Sequence, residues 1–278
     1  MVPPMSSLSS PSSSSLLIDP PRLAALLGER RNRFDILCSE ECASTNTELL
    51  RRASAGAPSG SVLVTDRQTA GRGSRGRTWF ASPEASLTFS VLWEFPGEVA
   101  RTSGLSLAVG VAIVQALTGC GATGVMLKWP NDILHGHAKL GGILVELHAE
   151  PDSAMAVVGI GLNLRLPETI GAPSVAALPA AALEQIVPAL PERHVLFAQL
   201  LAELAAAFDR FAADGFAALR DDWHARHAWQ DRPVRLLRDG RVEKEGICAG
   251  ADADGALLVR TPDGIERCLS GDVSLRPL

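Results

Sequence analysis

Gln68–Phe80 reads Q-T-A-G-R-G-S-R-G-R-T-W-F. Gly71, Gly73 and Gly76 are interleaved with Arg72, Arg75 and Arg77, so backbone can approach a ligand closely while guanidinium forks reach its oxygens. An apolar β-branched run, Ser61–Thr65 (S-V-L-V-T), precedes the stretch, and an alternating run, Ser86–Trp93 (S-L-T-F-S-V-L-W), follows it. The pattern predicts a loop between two strands. A Walker A loop or a dinucleotide fingerprint would lead into a helix, so a phosphoryl anion bound here is held by a different device. A solvated Gly/Arg turn and an RNA-binding basic loop are also compatible with these residues alone.

Composition narrows the choice. The chain has 278 residues, 46% hydrophobic and 21% charged, which suits an ordinary globular protein of one large domain with an appendage, or of two domains. A net charge of −5 and a pI near 5.7 argue against a general nucleic-acid-binding surface, so any basic site is local. The five cysteines (Cys38, Cys42, Cys120, Cys248, Cys268) are odd in number and lack C-x-x-C spacing, which suggests neither a disulfide framework nor a zinc site. No apolar run is expected to approach the ~20 residues that span a bilayer, and the Ser/Pro-rich start lacks the pattern of a signal peptide. The expected location is the cytoplasm. Of 26 basic residues only Lys128, Lys139 and Lys244 are lysines, and two of these lie in one short segment. A compact ammonium there is what a reaction centre requires and a solvated face does not.

Along the chain, residues 21–27 read as a short helix and 33–37 as a strand. In 41–52 Thr45 and Glu48 have the spacing of a capping box opening a helix, with Ser44, Thr45 and Asn46 as spare donors at its N-terminus. Residues 101–117, apolar almost all round, predict a buried helix with Ser103 as its cap. Pro130-Asn131-Asp132 marks a tight turn between short strands in V-M-L-K-W-P-N-D-I-L, and His135 and His137 fall at the next hairpin tip. Residues 155–164 read as a strand in which Gly159 and Gly161 admit close approach of backbone or ligand. An Ala/Pro-rich connector over 167–191 leads to an amphipathic helix over 193–211 and a second helix over 216–229. From Arg232 onward, short strands broken by Asp-Gly turns predict a small β-barrel.

In chain order, S-T-N, Q-x-x-G-R-G-x-x-G-R-x-W, K-W-P-N-D, K-x-x-G-I-L-V-E and G-x-G-x-N, followed by a small β-domain ending in S-L-R, resemble the biotin protein ligases over residues 33–278. The resemblance implies an α+β fold: a mixed, largely antiparallel sheet backed by helices, class II synthetase-like, with a C-terminal SH3-like β-barrel. The expected division is a disordered tail over 1–20, a biotin- and ATP-binding catalytic domain over 21–231 and the barrel over 232–278. No N-terminal DNA-binding domain is expected, hence no specific DNA, and the state would be monomer or homodimer. The implied chemistry is activation of biotin by MgATP to biotinyl-5′-AMP, then transfer to a lysine of a biotin carboxyl carrier protein.

The resemblance also implies roles. Lys139, Arg72, Arg75 and Arg77 would be catalytic, neutralising carboxylate and phosphate. Ser44, Thr45, Asn46, Gln68, Gly71, Arg72, Lys139 and Gly142 would bind biotin. Arg75, Arg77, Trp79, Lys128, Asn131, Asn163 and Arg276 would bind ATP, with Trp79 near adenine and Asn163 at its edge. Asp132 would hold Mg²⁺ or orient the carrier lysine. Glu146, mid-strand, reads as a structural carboxylate for which Lys128 is a candidate partner, with the phosphate role of Lys128 ranked ahead of that pairing. Ser74 departs from family members that have arginine as the fourth residue of G-R-G-R. The rival readings are a lipoate or octanoate ligase or transferase, which needs a long apolar channel, and a non-catalytic nucleotide- or RNA-binding module.

Overall fold

The computed structural model describes residues 16–149, 152–166, 178–238, 240–269 and 273–278. Residues 1–15 of the expected 1–20 tail, the first part of the 167–191 connector and Asp239 of one Asp-Gly turn lie outside the described residues, whereas residues 16–20 are ordered against expectation, Ile18 being buried in the core and Asp19 capping the helix that Pro20 opens. After α1 (Pro20–Leu27), β1 (Asp35–Cys42), α2 (Thr45–Ala53) and β2 (Ser61–Gln68) form a crossover in which β1 and β2 pair in parallel. The remaining strands of this sheet are antiparallel: β3 (Ser86–Pro96), β4 (Val125–Lys128), β5 (Asp132–His135), β6 (Ala138–Ala149) and β7 (Ser153–Asn163). Their order is β1-β2-β3-β7-β6-β5-β4, so the sheet is mixed as expected.

Strand alternation divides the sheet's two faces. From β3, Leu87, Phe89, Val91, Trp93 and Phe95 enter the main core, which they share with α3 (Leu105–Gly119) and where their rings meet α4 (Arg193–Asp214). The intervening residues Ser86, Thr88 and Ser90 face the other way, and only Leu92 on that face packs under α2, with Leu49, Leu63 and Val157. In β7, Gly159 and Gly161 fall on the same open face. The face carrying α2 is therefore apolar at one end and stripped to hydroxyls and glycines at the other. That stripped end becomes the floor of a cavity.

Several local expectations are corrected. Ser44, not Thr45, caps α2: its hydroxyl accepts from the Thr47 N–H at 3.4 Å, while Glu48 pairs with Arg51 and Arg52. Ser103 does not cap α3, which starts after Gly104 at φ +79°; the Ser103 hydroxyl donates to the Asp254 carbonyl instead. The Val99–Gly119 stretch is, against expectation, 21 residues long and apolar enough to cross a bilayer, but most of it is buried in the core. The helix expected over 216–229 is broken into a 3₁₀ turn and the short α5 (Arg220–His224). Residues 226–228 leave the helix to pair with β4, the Leu127 N–H donating to the Arg226 carbonyl and the Ala228 N–H to the Leu127 carbonyl.

The C-terminal strands β8 (Pro233–Arg238), β9 (Arg241–Ala251), β10 (Leu257–Thr261), β11 (Gly264–Cys268) and β12 (Val273–Pro277) form a separate antiparallel sheet in the order β11-β10-β9-β8-β12. In the main core, Phe208 of α4 is fully buried, with ring centroids 4.9 Å from Trp93 and 5.7 Å from Phe95. Phe208→Ala should cost about 3–5 kcal/mol. The check is urea denaturation: a lower midpoint at unchanged slope.

Candidate active site

A single row of residues crosses the main sheet in register. Thr65 stands opposite Thr88, Thr88 opposite Gly161, Gly161 opposite Gly142, Gly142 opposite Asp132, and Asp132 opposite Lys128. Above it lies a cavity of about 950 Å³. The cavity exists because larger side chains are absent. A Cβ on Gly159 would lie 2.1 Å from Asn46 Oδ1, and one on Gly161 would lie 2.3 Å from the Trp79 ring. Asn46 and Trp79 are seated directly on this floor.

One end of the cavity is neutral and hydrogen-bonding. The Gln68 amide oxygen accepts from the Thr45 N–H at 2.8 Å and its hydroxyl at 3.2 Å. The buried Ser90 hydroxyl lies 2.7 Å from Thr45 Oγ1 and 2.6 Å from Asn46 Oδ1. Asn46 Nδ2 donates to the Leu144 carbonyl and to Glu146. Ser44, Thr45, Asn46 and Gln68 all line the cavity, as expected. Thr88 and Ser90 escaped the sequence reading, although polar residues at every second position of S-L-T-F-S announced a polar strand face.

The other end is cationic. Lys139 lines the cavity, and its ammonium lies 2.5 Å from Asp132 Oδ1, while Lys128 Nζ lies 2.6 Å from Oδ2. Lys139 reaches this face because of a bulge: Ile133 pairs with Gly141 and Leu134 with Lys139, so Leu140 is an extra residue that re-aims its neighbour. The backbone is pinned there by the Pro179 carbonyl and the Ala181 N–H. Burial works to raise the Asp132 pKa, but the two ammonium groups outweigh it and hold the carboxyl below its ordinary range. Burial pushes Lys128 down to about 8, against the pull of Asp132.

Other expected residues fall into place or out of it. Lys128 is buried and does not line the cavity, and Asp132 rather than Glu146 is its partner. Glu146 instead pairs with Arg72 at 2.8 Å, fixing a cation on the lining. Arg77 lines the cavity, its guanidinium bonded to the Ser74 carbonyl at 3.2 Å and the Ser74 hydroxyl at 2.9 Å. Arg75 does not: it takes φ +60° within the 3₁₀ turn Ser74–Gly76, so the loop is not extended there. Gly71 lies off the lining and serves loop closure, since a Cβ would meet the Trp79 carbonyl oxygen at 2.3 Å. Gly142, Trp79, Asn131 and Asn163 do line it. The Asn163 amide nitrogen is engaged by the Lys139 and Ala181 carbonyls, and Asn131 Nδ2 by that of Ile143. Arg276 does not line the cavity; it is half-buried, and burial lowers its pKa while the Asp132 charge raises it and Arg77 lowers it, so the barrel's last strand brings it within electrostatic reach of the cationic end. Leu178, Pro179 and Ala180 complete a wall that the sequence did not signal.

Asp132 does not suit a metal. Both its oxygens accept from ammonium groups, and among the described residues no three His, Cys, Asp or Glu side chains are grouped to hold an ion.

Residues 39–163 match the Biotin/lipoate A/B protein ligase family, and residues 231–276 match the Biotin protein ligase C terminal domain. A Biotin--[acetyl-CoA-carboxylase] ligase of Paracoccus denitrificans is 36% identical over 80% of this chain and 92% of that protein. The chain belongs to the biotin protein ligase family. Within that family the Bifunctional ligase/repressor BirA of Escherichia coli (strain K12) is also 36% identical, over 84% of this chain and 71% of that protein. A biotin protein ligase from Aquifex aeolicus, solved in complex with biotin and ATP, has 28% identity and a TM-score of 0.73, covering 88% of this chain and 99% of that chain. The biotin protein ligase fold expected from the motifs, mixed sheet and C-terminal SH3-like domain, is thereby established.

Asp132→Asn should destabilise the protein by about 3–5 kcal/mol at neutral pH, because two buried or half-buried ammonium groups lose their counter-charge. The folded protein holds the Asp132 carboxyl below its ordinary 3.8. The stability this gives is complete above that pH and is lost as pH falls below it, where the unfolded chain takes up the proton first. Urea denaturation across the acid range should show that part of the acid limb in the wild type and not in the variant.

Proposed function

We propose that the chain is an ATP-dependent ligase that activates biotin as biotinyl-5′-AMP and transfers the biotinyl group to a specific lysine of a biotin carboxyl carrier protein. The observation that carries this reading is the polarity of one cavity: a neutral end built on Thr45, Gln68 and Ser90, and a cationic end built on Lys139 and Arg77. A ureido ring offers donors and an acceptor without charge, which suits the first end. A carboxylate and a polyphosphate repel each other until cations neutralise both, which suits the second.

In the first step a biotin carboxylate oxygen bonds to the α-phosphorus of ATP and pyrophosphate leaves. Lys139, fixed by Asp132, stands where it can hold the carboxylate against the α-phosphate as charge builds on its oxygens. Arg77, and Arg276 from the barrel, supply further positive charge toward the triphosphate. Magnesium enters as part of the MgATP substrate. In the second step the carrier lysine nitrogen attacks the acyl carbon, AMP leaves, and the lysine gives up a proton. The Gly/Arg loop, with Trp79 and Phe80 at the cavity, shields the water-labile anhydride in between.

The lipoate and octanoate alternative is disfavoured by the C-terminal match to biotin ligases and by a cavity end lined with neutral hydrogen-bonding groups rather than a long apolar channel. A non-catalytic RNA-binding role is disfavoured because the loop's Arg72 and Arg77 line a cavity and are engaged there by Glu146 and Ser74. Biotin-dependent exchange of labelled pyrophosphate into ATP tests the assignment directly, with lipoate as the control; exchange with lipoate alone would overturn it.

Lys139→Ala should lower that exchange by about 10²–10³-fold while biotin binding, measured by calorimetry, is weakened but detectable. Wild-type exchange in this variant would remove Lys139 from the mechanism.

Ser74→Arg should slow release of biotinyl-5′-AMP about tenfold, since Ser74 lines the cavity without charge and Arg75, off the lining, does not stand in for it; one charge-assisted hydrogen bond of roughly 1.5 kcal/mol has that effect. Stopped-flow dissociation of the adenylate from both proteins gives the ratio, and equal rates would show position 74 to be neutral.

A further inference from the structure

The segment that carries Asp132 is fastened to the C-terminal domain at one buried point. The Trp129 indole N–H donates to the Gly255 carbonyl at 3.0 Å, and Trp129 has no exposed surface. Gly255 lies in a turn stiffened from its own domain. The Asp252 carboxylate accepts from the Asp254 and Ala256 N–H groups, and Arg267 bonds to both Asp252 and Asp254. Around the same point the two domains meet backbone to backbone: a Cβ on Gly255 would lie 2.6 Å from Gly104 Cα, and Ser103 donates to the Asp254 carbonyl at 2.7 Å. On the other side, Ser106 of α3 donates to the Pro130 carbonyl at 2.7 Å. The turn between β4 and β5 is thus clamped from two directions, three residues before the carboxylate that holds Lys139.

We infer that the C-terminal domain sets the position of the Lys139 ammonium through the Trp129–Gly255 hydrogen bond, which makes Trp129 a positioning residue of the adenylation step. The line of force runs from Arg267 and Asp252 to the 252–256 turn, across to Trp129, and along the short segment to Asp132 and Lys139. Each link is a buried or charge-assisted hydrogen bond, or a peptide segment with little freedom. The biotin end of the cavity, built on α2, β2 and β3, lies outside this line. A loosened clamp therefore lowers turnover more than it weakens biotin affinity. This rests on the ligase reading above.

The test uses the full chain and biotin-dependent pyrophosphate exchange. Trp129→Phe keeps a buried aromatic ring but removes the donor together with part of the indole's volume; kcat should fall about tenfold with the biotin Kd within about twofold of wild type. Arg267→Ala, at a half-exposed site outside the cavity, should lower kcat about threefold by loosening the turn. In the double variant the second loss should vanish, because both changes act on one link. Faster amide hydrogen exchange in β4 and β5 should accompany each variant, and this readout needs no substrate. Wild-type kcat in Trp129→Phe, losses that multiply in the double variant, or biotin affinity falling in step with kcat would each overturn the inference. If Trp129→Phe fails to fold, Arg267→Ala decides alone, with unchanged kcat and unchanged amide exchange counting against it. A wild-type protein without biotin-dependent exchange would refute the ligase reading instead, and amide exchange would still decide the clamp.

Discussion

A carboxylate that is only 4% exposed must be paired, and Asp132 is paired twice, with an ammonium on each oxygen. Much of the main sheet's far edge follows from that requirement. Lys128 stands opposite Asp132 on the neighbouring strand, and Lys139 comes from the next strand through a bulge at Leu140. Compact ammonium groups can share one carboxylate from two sides, whereas two planar guanidinium forks would compete for the same lone pairs. In a chain that otherwise uses arginine almost throughout, this explains why two of the three lysines meet here. The triad leaves one cation, Lys139, on the cavity side and hides the other, so that net positive charge is presented at a fixed point.

The second organising feature is what the sheet lacks. On one face of β3 and β7, hydroxyls and glycines replace the Val, Leu and Phe that fill the opposite face. A sheet face without large side chains would normally lose packing energy, and here the vacated space is reoccupied by Asn46 and Trp79 and by the cavity itself. Asn46 is held by Ser90, Leu144 and Glu146, and Glu146 holds Arg72, so the neutral end and the loop's Arg72 are tied through one hydrogen-bonded network. Such a network holds binding groups in place before any ligand arrives, which is the arrangement a two-substrate reaction requires.

The barrel adjoins the site without lining the cavity. Its contribution is Arg276 on the last strand and the turn that receives Trp129. Gly104 and Gly255, both at positive φ, let the two domains touch through backbone, a closeness that a side chain on either would prevent. Residues expected to form a long helix after α4 instead break off to pair with β4, and this places Trp223 and Trp229 in the main core.

Local pattern by itself determined the strand–loop–strand setting of the Gly/Arg segment, the buried α3, the amphipathic α4, the β4–β5 turn and the short strands of the C-terminal domain. These rest on periodicity and turn chemistry, which act over a few residues. The ordered motifs likewise pointed to the family and to Lys139, Gln68, Thr45 and Asn131 as cavity residues. Pairings between distant strands were not legible, because a side chain's partner depends on register and not on its neighbours in sequence. Glu146 was matched to Lys128 when the loop residue Arg72 folds over to meet it, and Asp132 read as a metal ligand or an orienter of the carrier lysine when two lysines already occupy it. Arg75 and Gly71 looked like ligand contacts because a loop's sequence does not disclose which residues turn inward. Only the tertiary structure decided these, since the bulge at Leu140, the positive φ of Arg75 and the row from Thr65 to Lys128 exist once the sheet has assembled and every buried charge has found its counterpart.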